Sequence, residues 1–367
     1  MDIFALDRRF TAQKEFLGSD KPVNRMQPLV SVVVPTYQHG PYIRQCLDSI
    51  LMQKTSFPYE IIIGEDESDD GTRETCIEYA REHADQIRLF LRSRTSSVYR
   101  AHGVTRSANG IWCRRSARGR YVALCEGDDY WIVTDKLQKQ VDFLEANPDC
   151  SLAFHNALFL KQATSEPLRP VYEKEMQPFY EMADLIAGNF IYTASVMYRR
   201  AALPEPLPKW YYRMPFFDWP TFVLLGQNGR LAYLDEVMSV YRVHPGGVWS
   251  RLTPQQRIER ADRAAEILVP RLSCNSPRLA RAIAKVRYNL SESYRLSLSA
   301  SLEQGDHQSA STHAGRLLRY VAREKLSAGS LTHADVRNMW WLLSVIVRGR
   351  SPRLWTMLRR IVRGSSH

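Results

Sequence analysis

The chain has 367 residues, 44% of them hydrophobic and 24% charged, and its 50 lysines and arginines against 39 aspartates and glutamates give a net charge of +11. That length supports one large domain plus a smaller one, and the balance is that of a globular protein rather than a disordered or membrane-embedded one. The basic excess calls for an anionic partner: a nucleotide, a phospholipid surface or nucleic acid. The six cysteines form no C-x-x-C pair, and Cys46 and Cys125 fall in apolar patterns, so reduced core thiols are expected rather than disulfides or zinc ligands. Met1 to Asp7 lacks the basic start and apolar core of a signal peptide, and no run approaches the apolar length of a membrane span. A cytoplasmic protein is expected, with at most a peripheral contact at the inner face of the membrane.

Residues 1–27 are polar and mixed and read as an N-terminal extension. Leu29 to Val34 is a β-branched buried strand that runs into Pro35, Thr36 and Tyr37. After a turn at His39, Gly40 and Pro41, the apolar residues Ile43, Cys46, Leu47, Ile50 and Leu51 recur at helical spacing. Glu60 to Gly64 is a second buried strand, followed by the acidic run Glu65 to Asp70, a helix over 73–83 and a third strand, Ile87 to Leu91. Tyr121 to Cys125 is a fourth, and it stops at Glu126, Gly127, Asp128 and Asp129. Strands alternating with helices at this spacing predict a doubly wound, mostly parallel α/β sheet, whose ligands bind beyond the carboxyl ends of the strands. Three of those ends carry polar clusters.

Glu126, Asp128 and Asp129 crowd three carboxylates at the end of a buried strand, where they repel and lose hydration; a divalent cation with oxygen ligands would offset this. A solvated acidic turn ahead of the helix over 136–147 is the plainer alternative. Asp69 and Asp70 likewise suit a turn and N-cap, whereas Asp66 directly follows a buried strand and suits a base or ribose.

The segments Val32 to Tyr37, Ile61 to Asp66 with Asp70 to Thr72, and Gly119 to Asp129 together resemble the family 2 glycosyltransferases of GT-A fold, in order and spacing, over roughly residues 30–241. The resemblance implies a Rossmann-like nucleotide-binding half and an inverting transferase using a nucleotide-diphosphate sugar, expected to be a UDP-sugar, with Mn²⁺ or Mg²⁺. It implies that Asp66 contacts the base, with Pro35, Thr36 and Tyr37 lining the same pocket. Glu126, Gly127 and Asp128 stand where the family has Asp-x-Asp, so Asp128 is the expected metal ligand; Glu126, one methylene longer, is expected near ribose or metal-bound water. Arg106 is a candidate for a phosphate or an acidic partner. Asp129 and Trp131 are candidates for sugar or acceptor contact, with helix capping the other reading of Asp129.

Further on, Leu152 to His155, Thr193 to Tyr198 and Arg230 to Asp235 read as strands. His155, on an apolar strand, reads as a core histidine. Met214 to Pro220 sets Asp218 among aromatics ahead of an apolar helix. Such surroundings raise a carboxylate's pKa toward a range suited to a general base, the role the resemblance also implies; a helix-capping role is compatible with it. Val240 to Trp249 resembles the stretch that closes the site in related transferases, making His244 a candidate metal ligand or diphosphate donor and Arg242 a candidate for the pyrophosphate.

Beyond residue 250 the chain becomes helical and basic: 28–250 reads as the catalytic domain and 251–367 as a helical C-terminal region. Trp340 and Trp341 precede Arg348, Arg350, Arg353, Arg359, Arg360 and Arg363, and Trp355 interleaves with them, a pattern suited either to an anionic membrane surface or to a solvated basic face. The leading expectation is glycosyl transfer to a cell-surface saccharide or lipid-linked acceptor. A non-catalytic nucleotide-sugar or glycan-binding module is the alternative, separable by donor hydrolysis with and without Mn²⁺. Charge alone suggests nucleic acid; no recognition motif accompanies it, and none is expected to bind.

Overall fold

In the computed structural model, residues 14–94, 108–162, 166–272, 276–328 and 332–350 are described. They fall into two compact units, one within Met1–Arg251 plus Pro270–Leu272 and the other within Leu252–Val269 plus Ser273–His367.

The first unit is built on one mixed sheet. Its strands are β1 (Val30–Thr36), β2 (Tyr59–Glu65), β3 (Ile87–Leu91), β4 (Tyr121–Leu124), β5 (Tyr130–Trp131), β6 (Cys150–Lys161), β7 (Arg169–Pro170), β8 (Phe179–Tyr180), β9 (Met197–Arg199) and β10 (Arg230–Val243). The main path runs β3-β2-β1-β4-β9-β6-β10-β5, with β7 on β6 and β8 on β10. β1 to β4 are mutually parallel. β9 is antiparallel to both β4 and β6, which restores the direction of the parallel half in β6 and β10. This is the expected mostly parallel α/β sheet. The helices are α1 (Pro22–Arg25), α2 (Ile43–Leu51), α3 (Thr72–Glu82), α4 (Ala108–Arg115), α5 (Lys136–Ala146), α6 (Met182–Ala187) and α7 (Asp218–Gly226).

Two expectations shift. The segment expected as one strand over Thr193 to Tyr198 is a 3₁₀ turn, Thr193–Ser195, before the short β9. β10 is one long strand from Arg230 to Val243, kept paired to β6 across irregularities near Leu234 to Ser239. At the far end of the strand Arg242 and the following His244 reach Asp128, beyond the carboxyl end of β4.

From Lys14 onward the supposed extension belongs to the first unit: the Phe16 amide donates to Leu89 O, and Lys21 pairs with Glu15 at 2.6 Å. Beneath the sheet's amino ends, Glu60 is wholly buried and accepts from Ser31 Oγ, the Arg118 backbone and side chain, and Arg88 Nη1. A buried carboxylate is tolerable only when its lone pairs and charge are matched in this way.

The second unit contains α8 (Pro254–Leu268), α9 (Pro277–Glu303), α10 (His307–Ala328) and α11 (His333–Arg350). α8 opens with a capping box between Thr253 and Gln256. Buried Asp262 accepts from Tyr294 OH at 2.8 Å and pairs with Arg316 at 3.0 Å. Among the described residues, no helix is long and apolar enough to cross a membrane.

Removing the Glu60 charge leaves Arg88 and Arg118 facing a neutral group, so Glu60→Gln is expected to lower unfolding free energy by about 3 kcal/mol, read from urea denaturation.

Candidate active site

The site lies at the carboxyl ends of β1, β2 and β4, where the sheet stops pairing and the chain turns. Thr36 is its hub. The carbonyl of Thr36 accepts from the Asp66 amide at 3.1 Å, and its hydroxyl lies 3.2 Å from His39 Nδ1. The Gly127 amide donates to Pro35 O at 3.2 Å, and a Cβ on Gly127 would stand 2.5 Å from Thr36 Oγ1 and 2.9 Å from His39 Nδ1. Only glycine lets the β4 loop approach β1 so closely.

Asp66 is buried and faces Arg94 at 3.7 Å, while the Arg94 guanidinium lies 3.6 Å from the centroid of the exposed Tyr37 ring. Pro35, Thr36, Tyr37 and Asp66 thus lie together at the carboxyl ends of β1 and β2. Arg106 lies outside the described residues. Glu65, next in line, is fully buried, accepts from the Ser68 amide and pairs with Arg73, so it braces the loop.

Asp128 sits on the other side of Thr36. His244 Nε2 is 3.0 Å and His39 Nε2 3.6 Å from its Oδ2. Burial pushes the Asp128 carboxyl up, but His39 and His244 outweigh it and hold the group below the ordinary aspartate range. Ligand atoms of His39, Asp128 and His244 lie within 4.8 Å of one another, and so do those of Glu126, Asp128 and Asp129. Both sets suit a divalent cation by donor type, the first mixing nitrogen and oxygen, the second all oxygen.

Glu126 is pushed up to about 8 by burial first, then by the charges of Asp128 and Asp218, with Arg114 opposing. Asp218 is therefore close enough for its charge to act on Glu126, although it lies far along the chain. It is the first residue of α7; burial raises its pKa, while the amides of Trp219 and Asp218 and the charge of Arg114 pull it down. Asn189 Nδ2 donates to its Oδ2 at 3.2 Å. Arg114, half-buried, donates to Thr221 Oγ1 at 2.6 Å and so is anchored to α7, within electrostatic reach of both carboxyls.

Three other candidates are engaged in packing or bracing contacts. Trp131 is a core residue: its indole donates to Ala194 O at 3.0 Å and Lys136 Nζ lies 4.0 Å from its ring centroid, leaving no face for a sugar. Asp129 is buried; its Oδ1 accepts from the Arg242 amide at 2.8 Å, tying β10 to the loop, and Oδ2 has no hydrogen-bond partner among the described residues. Burial and the adjacent Asp128 raise its pKa well above the ordinary value. Arg242 is buried and fully engaged, donating to Asp128 O at 2.7 Å and Gln45 Oε1 at 2.7 Å between the rings of Tyr42 and Tyr130. It is a strut for Asp128, not an open anion contact. His155 is a core histidine as read, with Nδ1 2.8 Å from Asn156 O.

Sequence reasoning passed over His39, Arg94 and Arg114. His39 was hidden in what reads as a turn; the two arginines fall on segments with no motif, and only folding brings them to the acids.

Residues 31–205 match the model of the family described as Glycosyl transferase family 2. This segment is therefore a family 2 glycosyltransferase domain of GT-A type; Asp218, Arg242 and His244 lie beyond the matched residues. An uncharacterized protein of Mycobacterium tuberculosis is 37% identical over 230 residues, and the match spans 60% of this chain and 60% of the relative. The putative teichuronic acid biosynthesis glycosyltransferase TuaG of Bacillus subtilis is 29% identical over 220 residues, 59% of this chain and 80% of TuaG. Among solved structures, S. aureus TarS 1-349 in complex with UDP-GlcNAc superposes with a TM-score of 0.58 at 17% identity, covering 88% of this chain and 92% of that one. At that identity the likeness is one of fold.

The Glu126 carboxyl yields a pH prediction. Its folded pKa, near 8, lies above the usual 4.5, so the native state holds a proton that the unfolded chain gives up. Its contribution is intact below pH 4.5 and is lost as pH rises through about 8. Glu126→Gln is expected to flatten the loss of stability between pH 6 and pH 9, as measured by denaturation midpoints at about those two values.

Proposed function

We propose that the chain is an inverting glycosyltransferase that moves a sugar from a nucleotide-diphosphate sugar, a UDP-sugar, to a saccharide or lipid-linked acceptor in cell-wall glycan synthesis. The observation that carries this reading is the cluster of Glu126, Asp128 and His244 at the carboxyl end of β4, beside the β1 end where the Thr36 carbonyl meets the Asp66 amide. The family of residues 31–205 supports the reaction class. The printed name of TuaG and the UDP-GlcNAc bound to TarS support the wall-glycan setting and the donor.

Asp66 accepts from the base, while Thr36 and Tyr37 form the wall beside it. Asp128 and His244 hold a divalent cation, Mn²⁺ or Mg²⁺, which when bound neutralises charge growing on the departing diphosphate. Asp218 takes the proton of the acceptor hydroxyl, and Asn189 helps to orient its carboxylate by donating to Oδ2. The alcohol oxygen then bonds to the anomeric carbon on the face opposite the leaving diphosphate, inverting that centre. The raised pKa of Asp218 favours it as a proton acceptor. Glu126 stands beside Asp128, near ribose or metal-bound water, and burial raises its pKa in the free protein.

A lipid-linked acceptor would be met at a membrane surface. On α11, Trp340 is 69% and Trp341 51% exposed, an arrangement suited to the headgroup layer. The arginines expected to join them from Arg353 on lie outside the described residues. Co-sedimentation with anionic vesicles is expected to be salt-sensitive and to weaken in Trp340→Ala/Trp341→Ala; equal recovery with neutral vesicles at every salt concentration would remove this contact.

Asp218→Asn is expected to keep UDP binding, measured by calorimetry, while turnover in a nucleotide-sugar screen falls by at least about 10²-fold. Native turnover in that variant would overturn the base assignment.

A further inference from the structure

His39 belongs to no motif, yet the structure holds it with unusual care. The turn carrying it leaves β1 through Gln38, whose φ of +57° lies in the left-handed region that a non-glycine residue adopts only at a cost. The acidic loop after β2 offsets that cost. Gln38 N donates to Ser68 Oγ at 2.9 Å, His39 N to Thr72 Oγ1 at 2.8 Å and Gly40 N to Asp70 Oδ2 at 2.8 Å. Successive amides of one turn are thus fixed by side chains of the loop that, by sequence, suits a simple helix start. Asp70 also accepts from Thr72 Oγ1, so the clamp is itself braced.

The consequence is the direction of the imidazole. Nδ1 faces the Thr36 hydroxyl at 3.2 Å, which leaves Nε2 toward Asp128 Oδ2 at 3.6 Å. From the opposite side, His244 Nε2 reaches the same oxygen at 3.0 Å. The His244 ring is held against Tyr42, 4.7 Å between centroids, and Asp128 is fixed through its carbonyl by Arg242. Two imidazoles aimed at one carboxylate oxygen, each ring supported from behind, form the outline of a cation site: ligating histidines commonly have the second nitrogen hydrogen-bonded, which sets tautomer and orientation.

We propose that His39 is a metal ligand, completing with Asp128 and His244 a His–Asp–His set that selects a transition-metal ion over Mg²⁺. The proposal rests on the metal-dependent reading above and deepens it. Nitrogen donors shift preference from Mg²⁺, which favours oxygen ligands and keeps its waters, toward Mn²⁺, Co²⁺ or Zn²⁺.

The test uses Mn²⁺ with UDP and the full chain. In ¹⁵N-histidine-labelled protein, pulsed EPR of bound Mn²⁺ is expected to show couplings from both imidazoles. In His39→Asn, which keeps an amide near Thr36 but removes Nε2, one coupling is lost and Mn²⁺ affinity by titration falls by no less than about 10-fold, while Mg²⁺ affinity changes less. Far-UV circular dichroism and UDP affinity without metal establish that the variant is folded. Unchanged couplings and affinity in His39→Asn overturn the third ligand while leaving the transferase reading standing. Wild-type protein that takes up no Mn²⁺ with UDP present fails differently: it removes the ion from the proposed function as well as from His39.

Discussion

The site depends on the repulsion among carboxylates that the fold forces together. Glu126, Asp128 and Asp218 meet where burial weakens solvent screening, and the protein answers each charge differently. Asp128 is stabilised as an anion by two imidazoles. Glu126 takes up a proton. Asp218 keeps a raised pKa moderated by helix amides and by Arg114. Three acids whose charges act on one another thereby acquire three chemical characters.

The rigidity that maintains this division comes from residues that touch no reacting group. Asp129 and Arg242 fasten β10 to the β4 loop through a backbone amide and a carbonyl. Gly127 brings that loop against Thr36 with no room for a side chain. Beneath it, Cys46 and Cys125 lie 3.8 Å apart in the core, and Cys46 Sγ donates to Glu126 O at 3.5 Å. Each contact is modest, but together they leave the Glu126–Asp129 loop few alternative conformations.

Local pattern carried much of the fold. The β-branched run of β1, the buried runs of β2 and β4 and the helical spacing of α2 each report a nearby periodicity, and each element formed close to where it was expected. The polar ends of those strands marked the site for the same reason: a parallel sheet places them together by its topology. The less legible pieces were non-local. The strand expected over Thr193 to Tyr198 became a 3₁₀ turn and a short antiparallel β9, because its pairing is decided by β4 and β6 rather than by its own residues.

The sequence by itself determined the class of the domain and singled out Asp66, Asp128, Asp218 and His244 as candidates, since strand ends and motif spacing are properties of neighbouring residues. Only the tertiary structure decided which polar residues face the hollow. It turned Trp131 into core and Arg242 into a strut, because burial and hydrogen-bond partners come from elements far away in the chain. It also aimed His39 at Asp128, through a turn clamped by Ser68, Asp70 and Thr72 across some thirty residues of sequence. Side-chain direction is set by such distant contacts, and no local pattern encodes it.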